Sequence, residues 1–172
     1  MTFGASIRTC FRKYVTFSGR ATRSEYWFFV LFLFLTSSAI SIVDATLFAA
    51  SIAATAEGTG GAQNGPLSAI YGLATLLPAI AVGWRRMHDS GRSGLFLFYP
   101  VIVMVGLGGA ANFAGGLETV FADGIPSLIN TFTGLVIGFA MLVLIISPLL
   151  VIWWLTRPSD PHDNKYGAAP IL

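Results

Sequence analysis

Charge is scarce in this chain of 172 residues: ten Lys and Arg and eight Asp and Glu, 10% in all, against roughly 25% in an ordinary soluble domain. So few charges cannot form a polar shell over 14 Phe, 4 Trp and a composition that is 55% hydrophobic. A water-soluble globular fold is excluded, and the outer solvent is lipid. Cysteine is scarcer still: Cys10 stands alone, so no internal disulfide forms. A net charge of only +2 gives no sign of nucleic acid. No phosphate-binding GxxxxGK loop, no GxSxG elbow and no paired-carboxylate phosphotransferase signature occurs. The two His residues come without Cys partners or HxxxH spacing, so neither a metal nor another cofactor is implied.

What is present is four apolar runs, residues 26–48, 67–84, 95–114 and 132–155; Asp44 is their only charged residue. Each approaches the length of about 20 residues that a helix needs to cross roughly 30 Å of hydrocarbon. A β-barrel is excluded because residues 27–35 and 140–146 are apolar at every position, where barrel strands alternate. The expected fold is an all-α membrane protein, one domain over 1–172, with four transmembrane helices in a bundle. A signal peptide ending near Ser37-Ser38-Ala39 is the competing reading of the start. The charged stretch before it is long for such a segment and the apolar run continues past the small residues, so an uncleaved anchor is expected.

The cations partition completely. Arg8, Arg12, Lys13, Arg20 and Arg23 precede the first run, Arg85, Arg86 and Arg92 separate the second from the third, and Arg157 and Lys165 follow the fourth. Asp44, Glu57, Glu118 and Asp123 are the only charges in the intervening segments. Because Lys and Arg in short loops are retained inside, segments 1–25, 85–94 and 156–172 are expected in the cytoplasm, with both termini there. Tyr26, Trp27, Trp84, Trp153 and Trp154 fall at the same ends of their spans, as an aromatic belt would. The outer connections are rich in Gly, Ala, Ser and Thr and offer little chemistry.

Phe3, Ile7, Cys10, Phe11 and Tyr14 recur at helical spacing, predicting a short amphipathic surface helix that lies in the headgroup layer or packs on the bundle. Thr22 and Glu25 form a capping box that starts the first span near Arg23. Gly91 and Gly94 permit the reversal between spans.

Three polar motifs stand on the cationic side: Phe17-x-Gly19-Arg20-x-x-Arg23-x-Glu25-Tyr26-Trp27, then Arg85-Arg86-Met87-His88-Asp89-x-Gly91-x-Ser93-Gly94, then Asn164-x-Tyr166-Gly167 before Pro170. Together they resemble the bacterial inner-membrane family of domain of unknown function 805, over nearly the whole chain. Met87 and Leu95 depart from that pattern, and neither departure removes a polar residue. The resemblance implies a small multi-span protein of the bacterial inner membrane without an established activity. Its recurring residues fall on Gly19, Arg20, Arg23, Glu25, Trp27, Arg85, Arg86, His88, Asp89, Gly91, Ser93 and Gly94.

A two-hairpin parallel repeat is also readable: Pro78, Trp84, Arg85 and His88-Asp89 are answered by Pro148, Trp154, Arg157 and His162-Asp163, at offsets of 70, 70, 72 and 74. Independent spans sharing a Pro, an interfacial Trp and a flanking Arg are the alternative.

Arg20, Arg23, Arg85, Arg86, Arg92 and Arg157, with Glu25, His88 and Asp89, make an Arg-rich cap. It fits an anionic partner, either a lipid headgroup or an acidic protein segment. Two alternatives stay open. His88 and Asp89 acting on a lipid-borne phosphate would make it an enzyme; pairing of the arginines with Glu25, Asp89, Asp160 and Asp163 would make it a scaffold without a ligand. Gly134-x-x-x-Gly138 permits close helix packing, within the bundle or in a homo-oligomer. No Lys, Arg, Glu or His lies within a span, so an ion pathway is disfavoured.

Overall fold

The computed structural model describes residues 1–49, 65–106, 109 and 126–169. Helix α1 covers Phe3–Arg12, α2 Arg23–Leu47 and α3 Pro66–Asp89. Helix α4 covers Gly94–Gly106, opening with a 3-10 turn at Gly94–Phe98, and α5 covers Pro126–Thr156. Three helices are long and apolar enough to cross a membrane: α2, α3 and the Gly134–Thr156 part of α5. The expected third span, 95–114, is continuous helix as far as Gly106; the residues beyond fall outside the described set apart from 109, so three of the four expected spans coincide with helices long and apolar enough to cross. Most of both outer connections lies outside the described residues as well; the residues that mark the expected repeat are described, and their surroundings differ, His88 being buried against Tyr166 and His162 exposed.

Helix α2 starts where the capping box puts it, with the Thr22 hydroxyl accepting from the Glu25 N–H at 3.2 Å. Helix α3 runs past the apolar run of 67–84, and Arg85 to Asp89 form its last turn. The turn closes with Gly91 at φ 74°, the Gly91 N–H donating to the His88 carbonyl and the Arg92 N–H to the Met87 carbonyl, each at 3.0 Å. This paired arrangement satisfies the last carbonyls of the helix and requires a left-handed residue, which glycine adopts without cost.

Helices α2 and α3 pack antiparallel and are fastened at three levels. Asp44 meets the first turn of α3, the Thr36 and Tyr71 hydroxyls bond midway, and Glu25 pairs with Arg85 at the other end. Helix α1 turns its apolar stripe onto this pair. Phe3 packs edge-on against Phe28 and Phe11 against Phe29 and Phe32, Cys10 is buried with Ala21, Phe29 and Val82, and the Tyr14 hydroxyl donates to the Ala74 carbonyl. Helix α5 joins through its C-terminal end, where Val151 and Leu155 bury against Met87. A Cβ built at Gly134 or Gly138 meets nothing within 4 Å, so among the described residues no helix approaches α5 there.

Candidate functional site

The first and third motifs are drawn onto the end of α3. Arg20 follows the glycine joint at Gly19, and its guanidinium reaches four chain positions. Nε donates to Asp89 Oδ1 at 3.0 Å, Nη1 to the His162 carbonyl at 2.7 Å and more weakly to that of Gly167 at 3.5 Å, and Nη2 to the Asp160 carbonyl. Arg86 takes the other carboxylate oxygen of Asp89 and spends its remaining donors on the Leu155 carbonyl, at 3.0 Å, and the Arg157 carbonyl. Asp89 is thus a buried carboxylate between two buried guanidiniums. Backbone bonds complete the closure, the Ala21 N–H donating to the Arg85 carbonyl and the Asp160 N–H to the Asp89 carbonyl, each at 3.1 Å.

Arg85 and Glu25 form a second buried pair, Nη1 to Oε1 at 2.6 Å. Arg85 Nε and Nη2 have no hydrogen-bond partner among the described residues. The Cys10 thiol lies near both charges, and burial first, then the Glu25 charge, pushes its pKa up to about 12.

His88 and Asp89 are neighbours in sequence but not in action. The His88 ring stacks on Tyr166 with centroids 3.8 Å apart and planes 3° from parallel, and its Nδ1 lies 3.1 Å from the Gly19 carbonyl. That carbonyl only accepts, so Nδ1 carries the proton. Both oxygens of Asp89 are occupied by arginine, which leaves no carboxylate face to work with the imidazole. The second pair also falls apart: His162 is exposed, 3.8 Å from Asp160, while Asp163 accepts from the Ala169 N–H. Among the described residues no group of three or more His, Cys, Asp or Glu gathers to hold a metal.

Arg92 and Arg157 stand apart from this closed cluster. They flank an open pocket of about 320 Å³ that Ser90, Ser159 and Asp160 also line. Arg92 donates to the Ser90 carbonyl at 3.1 Å and lies 5.2 Å from the Trp154 ring centroid; Arg157 lies 5.0 Å from that of Trp153. Neither has a carboxylate within 4.0 Å among the described residues. Burial, and then the charge of Arg157, lower the pKa of Arg92. Arg23 is exposed on the first turn of α2, with no carboxylate within 4.0 Å among the described residues.

The anchoring partners escaped sequence reasoning because most are backbone carbonyls, which carry no residue signature. Asp44 did leave a signal, as the lone charge in an apolar run. Its Oδ1 accepts from the Leu67 N–H at 3.1 Å and its Oδ2 from the Ser68 N–H at 2.7 Å, capping α3 from a neighbouring helix. The His88–Tyr166 stack had its two residues singled out but not their pairing.

The relatives that sequence comparison finds are inner membrane proteins. The chain is 38% identical to the inner membrane protein YhaI of Escherichia coli K12 over 94 residues, covering 53% of this chain and 69% of that protein. It is 35% identical to the inner membrane protein YhaH of the same strain over 95 residues, covering 55% and 71%. No solved structure matches. The family described as Protein of unknown function (DUF805) matches residues 14–168, a stretch that holds every residue of the closed cluster together with the Arg92 and Arg157 pocket, and the chain belongs to that family.

Proposed function

We propose that the protein is a multi-pass protein of the bacterial inner membrane, both termini and the cap in the cytoplasm, whose cap holds an anionic membrane-borne group without transforming it. The observation that carries this reading is the division among its arginines. Arg20, Arg85 and Arg86 are buried and each is ion-paired within the fold, Arg20 and Arg86 sharing Asp89, which supports a structural role for them; Arg92 and Arg157 line a pocket and have no carboxylate within 4.0 Å among the described residues. Trp153 and Trp154 beneath those two cations supply amphipathic rings that favour the headgroup layer, which supports a lipid headgroup over an acidic protein segment. The buried state of Asp89 speaks against catalysis by His88 and Asp89.

Native mass spectrometry of the protein released from nanodiscs of mixed phosphatidylglycerol and phosphatidylethanolamine tests this. The protein is expected to retain the anionic lipid, and a variant with Arg23, Arg92, Arg157 and Lys165 all changed to Gln to lose that selectivity. Equal retention of both lipids by the wild type overturns the reading. Exchange of the bound lipid for an acidic peptide reassigns the cap to a protein partner. A C-terminal fluorescent-protein fusion is expected to fluoresce, as a cytoplasmic terminus requires.

A further inference from the structure

We propose that the pocket between the Ser90–Arg92 turn and residues 157–161 binds a dianionic phosphomonoester, held by the guanidiniums of Arg92 and Arg157. The inference rests on the anion-holding reading above and names the chemistry of the group. Both cations are positioned before any ligand arrives. Arg92 follows the closed turn at Gly91, donates back to the Ser90 carbonyl at 3.1 Å and lies over Trp154. Arg157 lies over Trp153, and its carbonyl is held by Arg86 from the buried cluster. Planar forks fixed in this way give up little side-chain freedom on binding.

The charge balance selects the ligand. Asp160 is the acid on the lining, and it is turned to its own segment, accepting from the His162 N–H at 3.2 Å with the imidazole 3.8 Å away. Two guanidiniums lining one pocket repel each other; burial first, and then the charge of Arg157, disfavour the charged form of Arg92. A phosphodiester brings one negative charge and relieves one of them; a phosphomonoester brings close to two above its second pKa, near 6, and relieves both. The Ser90 hydroxyl is donated to the Met87 carbonyl, so the guanidiniums remain as the strong donors there.

The test uses the full-length protein in nanodiscs carrying phosphatidic acid, a monoester, or phosphatidylglycerol, a diester, with lipid retention read by native mass spectrometry. The wild type is expected to prefer the monoester by roughly tenfold at pH 7.5 and to lose the preference below about pH 6, where the second charge is protonated. Arg92→Gln and Arg157→Gln are each expected to erase the preference, and Arg92→Lys, which keeps the charge without the fork, to restore part of it. Arg8→Gln, on the exposed side of α1, is expected to change nothing. Added inorganic phosphate separates two sources of the same chemistry: displacement of phosphatidic acid assigns the site to soluble phosphate, and persistence assigns it to the lipid. Equal retention of monoester and diester, unaffected by Arg92 and Arg157, overturns the pocket and leaves the general reading standing. Loss of all anionic selectivity in the wild type overturns both. Unchanged melting temperatures of the Gln variants show that any loss is one of binding and not of folding.

Discussion

Arg20 and Asp89, 69 positions apart in the chain, meet at 3.0 Å with side chains 2% and 0% exposed, and this contact makes one body of three cap segments. Asp89 stands at the end of α3, and Arg20 carries the carbonyls of Asp160 and His162 from the tail. A lysine ammonium gathers its three donors on one nitrogen and cannot span acceptors spread this widely. The guanidinium reaches them together because its five donors lie in a plane.

Asp89→Asn therefore leaves Arg20 and Arg86 buried beside a neutral amide. Removing one partner of a buried ion pair costs about 3–5 kcal/mol, so the denaturation midpoint in detergent is expected to fall sharply. Arg20→Lys keeps the charge and loses the multiple contacts. It is expected to free the tail, measured as faster protease cleavage after residue 157 with the helices still intact. A tail equally resistant in wild type and variant contradicts the clamp.

The Glu25–Arg85 pair allows a two-step test. Glu25→Gln removes the counter-charge from a fully buried guanidinium and is expected to cost a similar 3–5 kcal/mol. Joint replacement of Glu25 and Arg85 by Met removes both charges, and buried pairs exchanged for apolar side chains of similar size are commonly neutral or stabilising. Recovery of the melting temperature in the double variant, relative to Glu25→Gln, is the expected result.

The spans and the cap were legible in different degrees. Apolar runs announced α2, α3 and α5 because lipid leaves a helix no alternative, and the Thr22-x-x-Glu25 box marked the start of α2 to the residue. The extension of α3 five residues past the apolar run is not legible, because Arg85, Arg86, His88 and Asp89 look like loop chemistry, while the fold buries them as the last helical turn. Polarity alone does not separate a solvated connection from a buried, ion-paired cluster. That distinction depends on partners far away in sequence, and for Arg20 and Arg86 these include main-chain carbonyls.

Cys10 is a built-in reporter of the packing of α1. Its thiol is fully buried, and with a pKa pushed from 9.0 to about 12 it stays protonated in the folded protein at pH 9. Maleimide is expected to leave it unlabelled in the native state and to label it on unfolding. The sign for stability follows. Between pH 9 and 12 the unfolded chain loses this proton and the folded one keeps it, so stability is full below pH 9 and falls above it, by up to about 1.4 kcal/mol per pH unit. Phe11→Ala, which removes the ring packed on Phe29 and Phe32, is expected to raise the labelling rate.

At the far end of the α2–α3 pair, Asp44 and Gly65 make a lock whose two parts are separable. Asp44 is 2% exposed and accepts from two N–H groups of the first turn of α3. Asp44→Ala is expected to cost about 1–2 kcal/mol, the range of lost helix caps, and Asp44→Asn less, since its remaining carbonyl oxygen still accepts. Gly65 has φ −65°, which any residue adopts, so its need for glycine is one of space: a Cβ there would stand 2.2 Å from Asp44 Cγ. Gly65→Ala must then push the carboxylate off the helix end and is expected to destabilise at least as much as Asp44→Ala. In the Asp44→Ala background that obstruction is gone, so the second substitution is expected to cost little. A double-mutant cycle with strictly additive effects would contradict the contact, because only residues that touch couple in this way.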